Sequence, residues 1–307
     1  MKKDFLTLRD WSADDLKQMI ETAIRLKAEN KNNVRHHHLE GKKLAMIFEK
    51  PSTRTRVSFE VGMYELGGYP LNLSGNDIQL GRGETVKDTA RTLSRYVDGI
   101  MIRTKGHEII EELAKYATVP VINGLTDDFH PCQVMADVMT IFEYKQTYKV
   151  KVAFIGDGNN MAQSWMYGAA KFGMDISVAS PEGYECKQRV YDEARKTAET
   201  TGAKIEMVRD PYEAVRNADI IYTDVWASMG QEAEKEARKA IFKDYQVNAK
   251  LMAATGKDTL FMHCLPAYMG LEVTEDVFES KNSIVWDEAE NRLHVQKAIM
   301  LTVMGNK

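Results

Sequence analysis

Along this chain, short apolar runs alternate with longer stretches whose apolar positions recur at helical spacing. In the first half the strand-like runs are Lys43–Glu49, Pro70–Ser74, Gly99–Arg103 and Val119–Asn123, with helical patterns near 13–29, 53–66, 85–96 and 107–116. The second half repeats the alternation. Its strand-like runs are Lys151–Gly156, Asp175–Ala179, Lys204–Val208, Asp219–Thr223 and Thr259–His263, and its helical patterns lie near 161–172, 184–201, 211–217 and 232–253. Strands separated by helix-length segments pair in parallel, because a parallel partner needs a long crossover. The pattern therefore predicts an α/β fold of two domains, each a mostly parallel sheet covered by helices. A helix over Pro131–Tyr148 ends the first domain (1–148) and leads into the second (149–287). A last helix within 288–307 is expected to return to the first domain.

Composition sharpens this in a few places. The 307 residues exceed what one compact core usually holds, which agrees with two domains. A net charge of −4 leaves no excess of positive charge to track a nucleic-acid backbone, so nucleic acid is not an expected partner. Cys132, Cys186 and Cys264 are sparse and odd in number, which fits a reducing compartment. The N-terminus lacks the apolar core of a signal peptide, and no apolar stretch approaches the roughly 20 residues that span a bilayer. The expectation is a cytoplasmic protein with no membrane partner. His36-His37-His38 cannot all face one metal from a regular element and reads as a solvent loop.

The candidate chemistry sits where strands end. Ser52-Thr53-Arg54-Thr55-Arg56 joins the first strand-like run to a helix. A helix N-terminus offers unpaired N–H groups and the positive end of the dipole, and hydroxyls and guanidiniums add donors shaped for phosphate oxygens. A capped helix with exposed arginines has the same local sequence, and the preceding apolar strand tips the balance toward phosphate binding. Arg103 ends another strand and would face the same rim, although a surface arginine reads the same way. His130-Pro131-Cys132-Gln133 opens the joining helix, where the dipole disfavours an imidazolium and a neutral ring can donate to a carbonyl oxygen.

In the second half, Gly156-Asp157-Gly158-Asn159-Asn160 invites a dinucleotide-binding reading, with Glu182 placed as a ribose acid. Met161 stands where that fingerprint needs its third glycine, and the paired asparagines suggest recognition of a polar ligand. Asp224 ends a strand and can hold an ammonium, and the loop to Gly230 has the small residues of a closing flap. His263 and Cys264 are adjacent on a strand-like run, so alternation would point them to opposite faces and a covalent thiol dyad is not expected. Arg292 lies on the returning helix, which can bring it to a site.

Taken in this order, the segments resemble the aspartate/ornithine carbamoyltransferases. Ser52–Arg56, His130–Gln133 and His263–Pro266 match that family's phosphate and carbonyl motifs. The run D-V-W-A-S-M-G over Asp224–Gly230 looks like the ornithine branch, as do Asn76–Glu84, Gly156–Asn160 and Asn291–His294. The aspartate branch shares the S-T-R-T-R loop and is not expected to carry S-M-G after an aspartate. The match runs from about residue 5 to 304, and as a set it is specific.

The resemblance implies a carbamoyl phosphate domain, an ornithine domain, and a homotrimer or multiple of trimers, with no metal or organic cofactor. It implies transfer of the carbamoyl group from carbamoyl phosphate to the δ-amine of L-ornithine, giving L-citrulline and phosphate in arginine metabolism. It carries carbamoyl phosphate binding onto Ser52, Thr53, Arg54, Thr55, Arg103, His130, Gln133, Cys264, Leu265 and Arg292, with Gln79 supplied by a neighbouring subunit. Arg54, Arg103, His130 and Cys264 would act in catalysis, and Asn160, Asp224, Ser228 and Met229 would bind ornithine. A related amine acceptor such as putrescine, a nicotinamide-dependent oxidoreductase using the 156–160 loop, and a non-catalytic amino-acid sensor are the alternatives.

Overall fold

The computed structural model describes residues 3–35, 37–75, 78, 83–227 and 234–305. The chain divides into two compact units, one of Met1–Met139 with Glu290–Lys307 and one of Thr140–Ala289. Both are parallel α/β sheets, as the alternation predicts.

In the first unit, Ser12 caps helix α1 (Ala13–Lys31) by accepting from Asp15 N at 3.1 Å, and the helix buries Leu16, Met19, Ile20, Ala23 and Leu26 on one face. Strand β1 (Lys43–Phe48) leads to α2 (Thr53–Glu65) and then β2 (Tyr69–Ser74). After these come α3 (Val86–Leu93), β3 (Gly99–Arg103), α4 (His107–Tyr116) and β4 (Val121–Leu125). The sheet order is β2-β1-β3-β4, all parallel. Ala45, Ile47, Ile100, Ile102 and Val121 pack against Ile110 and Leu113 of α4. Helix α5 (Pro131–Lys145) follows. The end of α12 (Val285–Met304) belongs to this unit, where Lys297 Nζ reaches Glu65 Oε2 at 2.6 Å and Gln296 accepts from Ser58. The expected return of the C-terminal helix is thus observed.

The second unit runs β5 (Lys151–Ile155), α6 (Asn160–Phe172), β6 (Asp175–Ala179), α7 (Gln188–Ala198), β7 (Ile205–Val208), α8 (Pro211–Val215) and β8 (Ile220–Thr223). It continues through α9 (Lys235–Phe242), α10 (Ala249–Ala253), β9 (Leu260–His263) and α11 (Glu275–Phe278). The order β7-β6-β5-β8-β9 is again all parallel, with Ala153, Ile155, Ile221 and Phe261 meeting Phe242 and Tyr245 in the core. The single helix expected over 232–253 is a correction. Among the described residues the chain forms α9, a 3-10 turn at Lys243–Tyr245, and α10. Val247 leaves the helix to bridge Val273, and Asn248 restarts it by capping Leu251 N at 3.0 Å. The expected helix over 184–201 is likewise shorter, and α11 had no sequence signal of its own.

Topology fixes where ligands belong. In an open parallel sheet, the crevice opens at the C-terminal strand ends where the strand order reverses. In the first unit that point lies between β1 and β3, which pair with Phe48 opposite Arg103. In the second it lies between β5 and β8, with Ile155 opposite Thr223. Both crevices coincide with loops that carry the candidate chemistry. Among the described residues, no helix is long and apolar enough to cross a membrane.

Candidate functional site

In the first unit, Ser52 is the N-cap of α2, its hydroxyl accepting from Thr55 N at 3.1 Å. The first helical turn therefore carries Thr53, Arg54 and Thr55, at the helix end whose N–H groups lack intrahelical partners. Across the switch point, Glu49 N donates to Arg103 O at 3.0 Å, which ties the β1 loop to the end of β3. Arg103 is 6% exposed and His130 5%. Burial holds the His130 imidazole well below its ordinary range, and the guanidiniums of Arg292, Arg103 and Arg54 push the same way. His130 is thus neutral, in a field built by three arginines. Arg292 Nη1 donates to Gln133 Oε1 at 2.5 Å, and its Nη2 donates to Thr55 Oγ1 at 3.1 Å. Ser52, Thr53, Arg54, Thr55, Arg103, His130, Gln133 and Arg292 all belong to this unit. The arrangement presents fixed cations, hydroxyls and a neutral ring, suited to an anion with a polarisable carbonyl. Cys132, given no role by the motif reading, donates to Asn123 O at 3.3 Å, and burial pushes its thiol up to about 12.

In the second unit, the Asp224 carboxylate is 8% exposed and stands just beyond β8. Its Oδ2 accepts from Asn159 Nδ2 at 2.7 Å, and its Oδ1 accepts from Val225 N at 2.8 Å and from Cys264 Sγ at 3.1 Å. Among the described residues these bonds take three of the about four acceptor directions a carboxylate offers, and a ligand cation can take the fourth. Asn159 caps α6, its Oδ1 accepting from Met161 N at 2.9 Å and Ala162 N at 3.2 Å. Asn160, singled out from the sequence, is the first residue of α6 and accepts through its carbonyl from Ser164 Oγ at 2.6 Å. Leu265 follows Cys264 with φ +59° and a cis bond to Pro266. Cys264 and Leu265 belong to the second unit, whereas the other described residues of the carbamoyl phosphate set belong to the first. Gln79, Ser228 and Met229 lie outside the described residues, as does His36.

The alternation expected to separate His263 from Cys264 does not apply. Strand β9 ends at His263, so the rule of opposite faces does not reach Cys264. Ligand atoms of Asp224, His263 and Cys264 in fact lie within 4.8 Å of one another. The ring is committed elsewhere. Leu265 N donates to Nδ1 at 2.9 Å, so the proton sits on Nε2, which faces Glu272 Oε1 at 3.1 Å. A thiol base or a metal at this corner would first have to break one of those bonds.

The dinucleotide alternative fails on packing. Its fingerprint needs the second glycine so that a pyrophosphate can approach the backbone. At Gly158 that approach is taken by the chain itself, since Gly158 N donates to Tyr184 O at 2.7 Å and a Cβ would collide with the backbone of Glu185 and Cys186.

Several participants escaped the sequence reading. Asn159 had a local signal, an amide one residue before a helix, but stood beside a second asparagine. Asp137 lies one turn beyond Gln133 on α5 and accepts from its Nε2 at 2.8 Å. Glu272 and Arg238 reach their partners only through folding. Arg238 Nη1 joins Asp157 Oδ2 at 2.7 Å to Trp226 O at 2.8 Å.

Comparison with known proteins bears on the whole chain. Residues 3–143 match the family model described as the carbamoyl-P binding domain of aspartate/ornithine carbamoyltransferase, and residues 148–303 match its Asp/Orn binding domain. The ornithine carbamoyltransferase of Anoxybacillus flavithermus is 56% identical over 303 residues, covering 98% of this chain and 96% of that protein. The anabolic ornithine carbamoyltransferase of Pyrococcus furiosus is 57% identical over 304 residues, covering 99% and 96%. The solved Pyrococcus furiosus structure superposes with a TM-score of 0.97 at 56% identity, covering 100% of this chain and 98% of that one. The anabolic enzyme of Campylobacter jejuni superposes with a TM-score of 0.93 at 45% identity, covering 98% of each chain.

Proposed function

This chain belongs to the aspartate/ornithine carbamoyltransferase family, and from that premise we propose that it is an ornithine carbamoyltransferase. It transfers the carbamoyl group of carbamoyl phosphate to the δ-amine of L-ornithine, giving L-citrulline and phosphate in arginine metabolism. The observation that carries the reading is the buried set of His130, Arg103 and Arg292 in one unit, with Arg292 donating to Gln133 and to Thr55 in the first turn of α2. That set suits an acyl phosphate, which needs cations for the leaving group and a donor for the carbonyl.

In this reading the first turn of α2, Ser52 and Arg54 hold the phosphate. Arg103, His130 and Thr55 donate to the carbonyl oxygen as negative charge builds there. Each preorganised donor of this kind contributes about 3 kcal/mol to the barrier lowering. Asp224 takes the α-ammonium of ornithine in its remaining acceptor direction, and Asn160, Ser228 and Met229 complete ornithine recognition. The δ-amine, with a pKa of about 10.4 for an alkylammonium, must lose a proton before it attacks. Its nitrogen bonds to the carbonyl carbon, the carbon–oxygen bond to phosphate breaks, and the departing phosphate takes the amine proton. Cys264, one of the Asp224 partners, positions the amine. No step needs a metal or organic cofactor.

We read the assembly as a homotrimer or multiple of trimers, with Gln79 supplied by a neighbour. Val57, Val61 and Tyr64 support this, an exposed apolar stripe at helical spacing along α2. Three free thiols suit a cytoplasmic location.

The deciding experiment supplies carbamoyl phosphate with ornithine, putrescine, N-acetylornithine or aspartate and measures phosphate and the ureido product. Release that depends on ornithine supports the reading. Release that depends on putrescine or aspartate instead, or none at all, overturns it.

A further inference from the structure

We propose that Asp137 is a positioning residue of the carbamoyl phosphate site, orienting Arg292 and Thr55 through the amide of Gln133. The proposal rests on the carbamoyl-transfer reading above and goes beyond it. Asp137 was not among the residues that the motifs identify.

A continuous hydrogen-bonded chain carries the argument. Gln133 and Asp137 stand four residues apart on α5, so their side chains share one face. Gln133 Nε2 donates to Asp137 Oδ1 at 2.8 Å, and Gln133 Oε1 accepts from Arg292 Nη1 at 2.5 Å. Arg292 Nη2 then donates to Thr55 Oγ1 at 3.1 Å. All four side chains are at most 2% exposed. Water therefore cannot readily substitute for a misplaced partner.

The polarity of the chain is set from its ends. A guanidinium only donates and a carboxylate only accepts. A glutamine between them has one satisfactory orientation, oxygen toward Arg292 and nitrogen toward Asp137. The reversed amide would set donor against donor at one end and acceptor against acceptor at the other. At the far end, Thr55 Oγ1 accepts from Arg292, which turns its own proton away as a donor. Thr55 stands in the first turn of α2, beside the Ser52 cap, so that donor serves the carbonyl oxygen of carbamoyl phosphate. Asp137 touches no reacting atom in this account. It acts together with Arg292, holding the Gln133 nitrogen so that the amide oxygen stays on the guanidinium.

The test is Asp137→Asn, which keeps shape and can either donate or accept, so it no longer dictates the amide. The expected result is a rise of about tenfold in KM for carbamoyl phosphate, with KM for ornithine changed less than about twofold. A purely structural role would lower stability without splitting the two constants. The second arm places Asp137→Asn in a Gln133→Met background, where there is no amide to orient. Its loss of kcat/KM should then vanish to within about twofold. A wild-type KM for carbamoyl phosphate in Asp137→Asn overturns the proposal, and so does a loss that multiplies undiminished in the double variant. Should Asp137→Asn not fold, Asp137→Ser, whose hydroxyl can also either donate or accept, carries the same cycle. Wild-type carbamoyl phosphate kinetics in both Arg54→Ala and Gln133→Met would instead sink the underlying site reading. Losses in those two without one at Asp137 would sink the positioning role alone.

Discussion

Asn159 serves two masters with one amide: its Oδ1 caps α6, and its Nδ2 donates to Asp224 Oδ2 at 2.7 Å. The two cap donors require the oxygen, so the nitrogen has to face the carboxylate. The start of a helix is thereby joined to the end of the adjoining strand. Asn159→Ala should cost about 1 kcal/mol of stability from the lost cap and raise KM for ornithine. Asn159→Asp keeps the cap acceptor but sets a second carboxylate against Asp224. Like-charge repulsion should make it less stable than Asn159→Ala near neutral pH, with the difference shrinking toward acid pH as one carboxyl takes up a proton, and it should bind ornithine worse. Thermal melts and ornithine titrations of both variants check this, and parallel losses in the two would refute the double role.

Gly158 N donates to Tyr184 O at 2.7 Å, with no room for a side chain. Gly158→Ala must push either the 156–160 loop or the 184–186 backbone aside. We expect a loss of about 2–3 kcal/mol, in the range of other overpacking changes, and a raised KM for ornithine. Gly183→Ala has open space around it and strains only φ, +83°. It should leave ornithine binding unchanged, and chemical denaturation with steady-state kinetics separates the two.

The buried, neutral His130 makes stability depend on pH in one direction. The folded imidazole stays unprotonated where the unfolded one, with a pKa of about 6.5, takes up a proton. The unfolded state then binds more protons, so stability falls as pH drops through that value, by up to about 1.4 kcal/mol per pH unit. Above it the contribution is constant. Urea denaturation between pH 5.5 and 7.5 should show a steeper acid loss for the wild type than for His130→Asn. Equal slopes would mean that His130 titrates normally in the folded protein.

Arg54→Ala removes the guanidinium from the first turn of α2. Charge-assisted hydrogen bonds are worth about 1.5–3 kcal/mol each, so kcat/KM for carbamoyl phosphate should fall by roughly 10- to 150-fold. Ser228→Ala, in the proposed ornithine set, should mainly raise KM for ornithine. Kinetics with each substrate varied in turn would expose a reversed pattern.

The strand-end loops, their donors and their order were legible from local pattern. Ser52 announces a cap, Arg103 closes an apolar run, and Asp224 stands just past another, each readable because the signal lies within a few residues. Asn159 and Asn160 are legible as a pair of polar amides, and the place of Asn159 just before a helix marks it as a cap. Asp137, Arg238 and Glu272 carried no comparable signal. Arg238 lies 81 positions from Asp157, and the partners meet at 2.7 Å only after α9 forms. The break between α9 and α10 also came from a distant partner, since Val247 is drawn out by Val273. The His263 tautomer was unreadable for the same reason, set by Leu265 and Glu272 together.

By itself, the sequence determined the parallel α/β architecture, the loops that carry chemistry and the residue types at each loop, because periodicity, caps and strand ends are local properties of the chain. Only the tertiary structure decided which way the amides of Gln133 and Asn159 face, that His130 is buried among arginines, and that Arg292 reaches Thr55 from 237 positions away. Orientation and protonation depend on desolvation and on partners brought together by packing, and neither is written in the neighbouring residues.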